Sequence, residues 1–186
     1  MAGETYRVLV CQGAGHTIAA AATVYAAMMG WIDTTTTRIA RETRFREAYT
    51  VGNLFVYVKT NGLSNGSTVK LVINGGTPGN PQVSITAKTT GIFEDTANTA
   101  SIASGDLACW EVAVGASKHT DSGVFTITQI GCTLAHASST ISILQGTTNA
   151  AFGQGTSGFG SLSGDIYPVA TENNCKYVIR TAATLT

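Results

Sequence analysis

At 186 residues and 19.2 kDa, the chain is long enough for one substantial hydrophobic core and does not require a second domain. Eleven Lys and Arg balance eleven Asp and Glu, which excludes the net field that draws in nucleic acid or an anionic membrane. Charged residues make up only 12% of the chain and Gly numbers 21; with abundant Thr, Ser and Asn, this favours strands and turns over helices and suits a subunit within an assembly better than a free monomer.

Met1-Ala2-Gly3-Glu4-Thr5 has no cationic stretch leading into an apolar one, so a conventional signal peptide is not expected. Residues 1–20 are expected to form an N-terminal arm. The most apolar run, Ile18 to Met29, is Ala-rich and too short to cross a bilayer, which needs about 20 apolar residues in a helix. Between Thr37 and Tyr49, Arg38, Arg41, Arg44 and Arg46 alternate with Glu42 and Glu47. A helix would pair Arg38 with Glu42 and Glu42 with Arg46; a strand would place Glu42, Arg44 and Arg46 on one face. The β-rich surroundings favour the strand, as a solvated face or a subunit contact with bidentate arginine bonds.

From Asn53 the text becomes strand, turn, strand. Leu54, Val56 and Val58 alternate with Phe55, Tyr57 and Lys59, a period of two with both faces largely apolar, as in a core strand. Asn61-Gly62 and Asn65-Gly66 follow, then Val69, Leu71 and Ile73 alternating with Thr68, Lys70 and Val72. Asn-Gly between alternating segments predicts a hairpin here.

Asn74-Gly75-Gly76 and Pro78-Gly79-Asn80-Pro81 predict a loop, with short strands at Val83 to Ile85, Ile92-Phe93 and Ser101 to Ala103. Beyond the turn at Ser104-Gly105-Asp106, Leu107 to Val114 reads as a strand with Ala108, Trp110, Val112 and Val114 on one face. A polar loop with His119 and Asp121 leads to strands at Phe125 to Leu134 and Ile141 to Leu144. Regular short strands of this kind argue for an all-β sandwich or barrel, and parallel α/β folds are excluded by the lack of crossover helices.

Residues 146–164 read as a Gly-rich contact loop carrying Phe152, Phe159 and Leu162. Residues 165–186 read as C-terminal strands, starting at Ile166-Tyr167-Pro168-Val169. Ala170 to Tyr177 echoes Ala40 to Glu47, which either marks the start of a further module or reflects shared strand composition.

The chemical motifs are weak. Gly153-Gln-Gly155-Thr-Ser-Gly158 has dinucleotide-loop spacing, but neither it nor Gly13-Ala14-Gly15 opens a convincing helix to face a phosphate. His16, His119 and His136 share no ligand spacing, and no Gly-x-Ser-x-Gly elbow occurs. Glu94-Asp95 and Asp106 could gather around calcium, although Asp at such positions more often accepts backbone N–H bonds in Asx turns. Asn65-Gly66-Ser67 is a glycosylation sequon that reads as a turn.

Cys11, Cys109, Cys132 and Cys175 form no Cys-x-x-Cys pair; they read as buried free thiols, with disulfides left open for a particle outside a cell. No catalytic residue, metal or cofactor is expected, and no enzyme activity.

Asn53 to Gly62, Ser67 to Gly76, Thr90 to Thr99 and Ser101 to Leu107 together resemble the jelly-roll modules of bacteriophage virion proteins, including capsid decoration and minor structural proteins. The resemblance spans roughly residues 20 to 145. It implies an antiparallel jelly-roll β-sandwich of about eight strands, without catalytic residues. The partners it implies are copies of the chain itself, as a homotrimer or higher assembly, and the major capsid protein or other virion subunits.

Two alternatives share much of this composition. One is an extracellular filament or fibre subunit that donates its C-terminal strand to a neighbour. The other is a carbohydrate-binding module using Trp31, Trp110, Tyr167 or Phe159 as stacking platforms, with Trp110 assigned to the core by its strand parity.

Overall fold

The computed structural model describes residues 5–119, 121–136, 146–148 and 164–166. In chain order the strands are β1 (Thr5–Ile18), β2 (Thr23–Ala26), β3 (Gly30–Trp31), β4 (Thr34–Thr35), β5 (Thr43–Arg44), β6 (Tyr49–Asn61) and β7 (Ser67–Ile73). They continue as β8 (Gly79–Ile85), β9 (Gly91–Asp95), β10 (Ala100–Ile102), β11 (Leu107–Ala113), β12 (Phe125–His136), β13 (Gly146–Thr148) and β14 (Gly164–Ile166). The chain divides into two compact units, residues 1–141 and 142–186, where the composition had suggested one domain. In the second unit, β13 and β14 form a parallel pair.

The first unit is a two-sheet β-sandwich. One sheet runs β10-β6-β12-β1-β3 with β9 also paired to β6, and the other runs β4-β2-β11-β7-β8 with β5 also paired to β11. Apart from the short parallel contact of β1 with β3, the pairings in both are antiparallel. Because β12 occupies one edge of β6, β9 and β10 share the other and act as one interrupted strand. Counting β1, β2, β6, β7, β8, β9/β10, β11 and β12 as first to eighth, the strand orders are 1-8-3-6 and 2-7-4-5. Every connection but that from fourth to fifth passes from one sheet to the other, which is the double Greek key of a jelly roll.

Alternation builds the core. Leu54, Val56 and Val58 on β6 and Ala108, Trp110 and Val112 on β11 are all 0% exposed; the face read for β11 holds, and of the two faces of β6, both read as largely apolar, only that of Leu54 is fully buried. On β12, Phe125 and Ile127 point inward, and so do Ile130, Cys132 and Leu134. That changes parity, and irregular register between Ile127 and Gln129 absorbs the extra residue. Each fully buried Leu, Ile or Val adds about 1.5–3 kcal/mol relative to an exposed one.

Three expectations are corrected. Residues 5–18 are not an arm: β1 runs beside β12 from Thr5↔His136 to Ile18↔Phe125. Its glycines and polar residues masked the pattern, and a bulge between Gln12 and His16 further interrupts it. The segment from Thr37 to Tyr49 is not one strand: it holds a 3-10 turn at Arg38–Ala40 and only the two-residue β5. Arg38 and Glu42 form the ion pair expected of helical spacing.

The third correction concerns the hairpin. β6 and β7 lie in different sheets, so Asn61-Gly62 and Asn65-Gly66 belong to an arch between sheets, and none of these four residues has positive φ. Asn61 is buried instead, its Nδ2 donating to Thr86 O at 2.9 Å and Thr89 O at 3.0 Å while its Oδ1 accepts from Leu63 N at 3.2 Å. The hairpin is β7–β8, turned by Asn74 (φ 50) and Gly75 (φ 68) with Gly76 N donating to Ile73 O at 2.9 Å. Positive φ at both central residues is what a type I′ turn requires. A Cβ on Gly75 would fall 2.4 Å from Arg38 Nη2, at the movable end of a long side chain, so it is the backbone that calls for glycine there.

The expected strand at Ile141 to Leu144, most of the 146–164 loop, the segment from Tyr167 to the C-terminus and the Gly153–Gly158 motif lie outside the described residues.

Candidate contact surface

Strand parity on β6 sends Phe55, Tyr57 and Lys59 to the outer face of the first sheet, opposite the buried Leu54, Val56 and Val58. Register places Ile92 of β9 directly beside Tyr57 and Glu94 beside Phe55. On the other side of β6, Gln129 of β12 lies beside Tyr57 and Gly131 beside Phe55. Directly paired residues share a face, so Tyr57 and Ile92 form one apolar row. Tyr57 is 41% exposed and Ile92 66%. Lys59 lies two residues from Tyr57 in one direction, and Glu94 two residues from Ile92 in the other; both are exposed.

Most charged side chains near the loops are engaged within the chain. Asp95 Oδ1 accepts Ala97 N and Asn98 N at 3.2 and 3.0 Å, and Oδ2 accepts Gln82 N at 2.9 Å. Desolvation pushes this carboxyl's pKa up, but the bonds from Gln82, Asn98 and Ala97 outweigh it and hold the pKa below the usual value. Asp106 ties two turns together, accepting Asn74 Nδ2 at 2.6 Å and Ala103 N at 2.8 Å; the Asn74 bond, then Ala103, lowers its pKa. Each therefore acts as an Asx anchor. Among the described residues no group of three His, Cys, Asp or Glu is placed to hold a metal.

Asp121 gathers three loops at one end of the sandwich. It accepts Lys88 Nζ at 2.6 Å and also Ser64 Oγ, while Ser64 Oγ accepts Lys118 N at 2.9 Å. The bonds from Lys88 and Ser64 hold the Asp121 pKa down to about 2. In the arginine segment, Arg38 pairs with Glu42, Arg41 with Asp33, and Arg44 Nη1 donates to Gly105 O at 3.0 Å. Three of the four arginines thus brace their own subunit.

His16 Nε2 lies 2.7 Å from Thr34 Oγ1, His136 packs against Tyr49 with ring centroids 5.1 Å apart, and His119 is exposed. Cys11, Cys109 and Cys132 are buried, and Cys109 and Cys132 are free thiols. Burial, with Glu42 adding to it at Cys109, pushes Cys109 and Cys132 up to about 12. Trp110 is fully buried and offers no stacking platform. Tyr167 and Phe159 lie outside the described residues, as does the side chain of Trp31. Among the described side chains of this sheet the exposed aromatic is Tyr57, whose signal in the sequence was its shared parity with Lys59.

No family profile and no curated protein matches the sequence. Among solved structures, the chain is similar to the CBM35 from Cellvibrio japonicus Abf62 at 16% identity, covering 68% of this chain and 92% of that one with a TM-score of 0.37. It is similar to a family two carbohydrate esterase from Cellvibrio japonicus at 16% identity, covering 73% of this chain and 38% of the esterase at a TM-score of 0.26. It is also similar to a chain of infectious bursal disease virus, Gx strain, at 14% identity, covering 72% and 29% at a TM-score of 0.26. At such scores these likenesses carry no argument, and the fold assignment rests on the strand order.

Proposed function

We propose that this protein is a structural subunit of a virion, a capsid decoration or minor capsid protein that stabilises the shell through subunit contacts and performs no catalysis. The observation that carries this reading is the Tyr57–Ile92 row, a pair of large side chains left exposed on a sheet face of a jelly roll. Exposing them to water is unfavourable, and contact with another protein surface relieves it. Three further features support the reading: the resemblance of residues 20 to 145 to phage virion modules, the zero net charge, and the use of Asp95, Asp106 and Asp121 as turn anchors.

The partners in this reading are other copies of the chain, in a trimer or larger array, and the major shell protein. Particles assembled without this chain are expected to lose heat or pressure resistance. Particles equally robust without it would sink the proposal. Tyr57 also favours a second reading, carbohydrate binding by stacking of a sugar ring on an exposed aromatic. A glycan array probed with wild type and Tyr57→Ala tests it, and signal insensitive to the substitution would remove it.

A further inference from the structure

We infer that the outer face formed by β9, β6 and β12 binds a second copy of this chain, face to face, about a two-fold axis running across the strands through Tyr57 and Ile92. The inference rests on the reading that the protein works by surface contact, and it names one of the partners. It follows from the way charge is distributed about the apolar row. Lys59 lies on one side of that row along the strand direction and Glu94 on the other.

A two-fold axis lying across the strands reverses the strand direction, so it brings the Lys59 end of one copy over the Glu94 end of the other. The same operation repeats the contact at the opposite end, giving two Lys–Glu pairs around a centre where Tyr57 and Ile92 meet their own images. An isologous interface needs a patch that is its own complement, and this face has opposite charges disposed symmetrically about an apolar centre.

Lys59 and Glu94 belong to neighbouring strands, so the lateral offset to close is one strand spacing, about 4.8 Å. That is within the span of a flexible four-carbon lysine stem. In the isolated chain the stem leans toward Gly15, where a Cβ would lie 3.7 Å from Lys59 Cδ, and pairing requires it to swing away. The like-charged alternative, a two-fold axis along the strands, would set Lys59 against Lys59 and Glu94 against Glu94, and electrostatics disfavours it.

The face is small. Three strands about 4.8 Å apart and about six residues of 3.4 Å give roughly 300 Å² per copy, well under half of what each partner buries in a stable complex. Pairing through this face alone is therefore weak, and it gains strength when many copies are held at high local concentration. Being isologous, it joins two copies and closes no ring of three, so any trimer contact uses a different surface.

The test is sedimentation velocity of the full chain at rising concentration, with circular dichroism confirming the fold of each variant. Wild type is expected to show reversible dimerisation. Lys59→Glu and Glu94→Lys are each expected to weaken it by about tenfold or more, since each converts two attractive pairs into repulsive ones. The double reversal is expected to restore it to within about threefold of wild type, and Tyr57→Ser with Ile92→Ser to abolish it.

A wild type that remains monomeric throughout overturns the inference, as does a dimer insensitive to these substitutions or one the double reversal fails to rescue. A glycan that binds this face in a Tyr57-dependent way, with no self-association, also overturns it and replaces the partner with a sugar. None of these results bears on whether the chain resides in a virion, which is decided by its presence in purified particles; its absence from particles would leave the pairing intact.

Discussion

Replacing Asn61 by Ala measures what the arch between the two sheets contributes. Asn61 is 8% exposed and makes three hydrogen bonds through its side chain, to Thr86 O, Thr89 O and Leu63 N. Thr86 O keeps partners in Thr89 N at 3.3 Å and Thr89 Oγ1 at 2.7 Å, and Thr89 is exposed so that water reaches its carbonyl. The dominant cost falls on Leu63 N, whose residue is 0% exposed. Stranding a buried donor costs about 1–3 kcal/mol, and losing the other two bonds adds about 0.5–1.5 kcal/mol each.

Allowing for water at Thr89, the expected loss is about 2–4 kcal/mol, a large part of a typical stability of about 5–15 kcal/mol. Urea unfolding at unchanged m-value is the assay. Asn65→Ala is the control: the same Asn-Gly dipeptide, exposed, is expected to cost under about 0.5 kcal/mol. Equal losses at the two positions, or a loss under about 1 kcal/mol at Asn61, would refute the view that Asn61 holds the arch.

Three further outcomes are expected. Gly115→Ala should destabilise by about 1–3 kcal/mol, because its Cβ would lie 2.2 Å from Asn65 O and 2.6 Å from Gly66 O; Gly79→Ala, where the nearest atom to a Cβ is 3.9 Å away, should cost under about 0.5 kcal/mol, and equal chemical-denaturation losses would contradict the packing described. In a Cys175→Ser background, native protein at pH 8 should resist a thiol reagent until it unfolds, since Cys109 and Cys132 are buried and pushed up to about 12; rapid native labelling of either would count against it. For Asp121, the folded pKa of about 2 lies below the unfolded value, near 3.9, so its stabilising effect is complete above that unfolded value and fades as pH falls toward the folded one. The stability advantage of wild type over Asp121→Asn should therefore shrink between about pH 4 and pH 2, and a constant difference across that window would refute the assignment.

Much of the sandwich was legible because burial imposes a period of two. Trp110 and Val112 announced their face, and the alternation of Leu54, Val56 and Val58 announced a strand, though not which side of it is inward; the structure keeps all five at 0% exposure. Asn-Gly was misleading because it marks a willingness to adopt positive φ without fixing where that willingness is used. The chain uses it at Asn74-Gly75 and leaves Asn61-Gly62 outside that region. β1 was hidden because its pattern is interrupted by a bulge at a Gly-rich stretch. The arginine segment was ambiguous because its pairs, Arg38–Glu42 and Arg41–Asp33, close around a 3-10 turn. Tyr57 read as one face of a core strand and Ile92 as part of a short strand, and only register and exposure reveal that they form a row on the outside.

Electron cryo-microscopy of the native source material decides whether this jelly roll acts as a subunit, by contact within a particle. Two-sheet density with strand orders 1-8-3-6 and 2-7-4-5 is expected, repeated by symmetry on or within a protein shell. Particles devoid of this density, with the chain recovered as a free monomer in the surrounding solution, would contradict it.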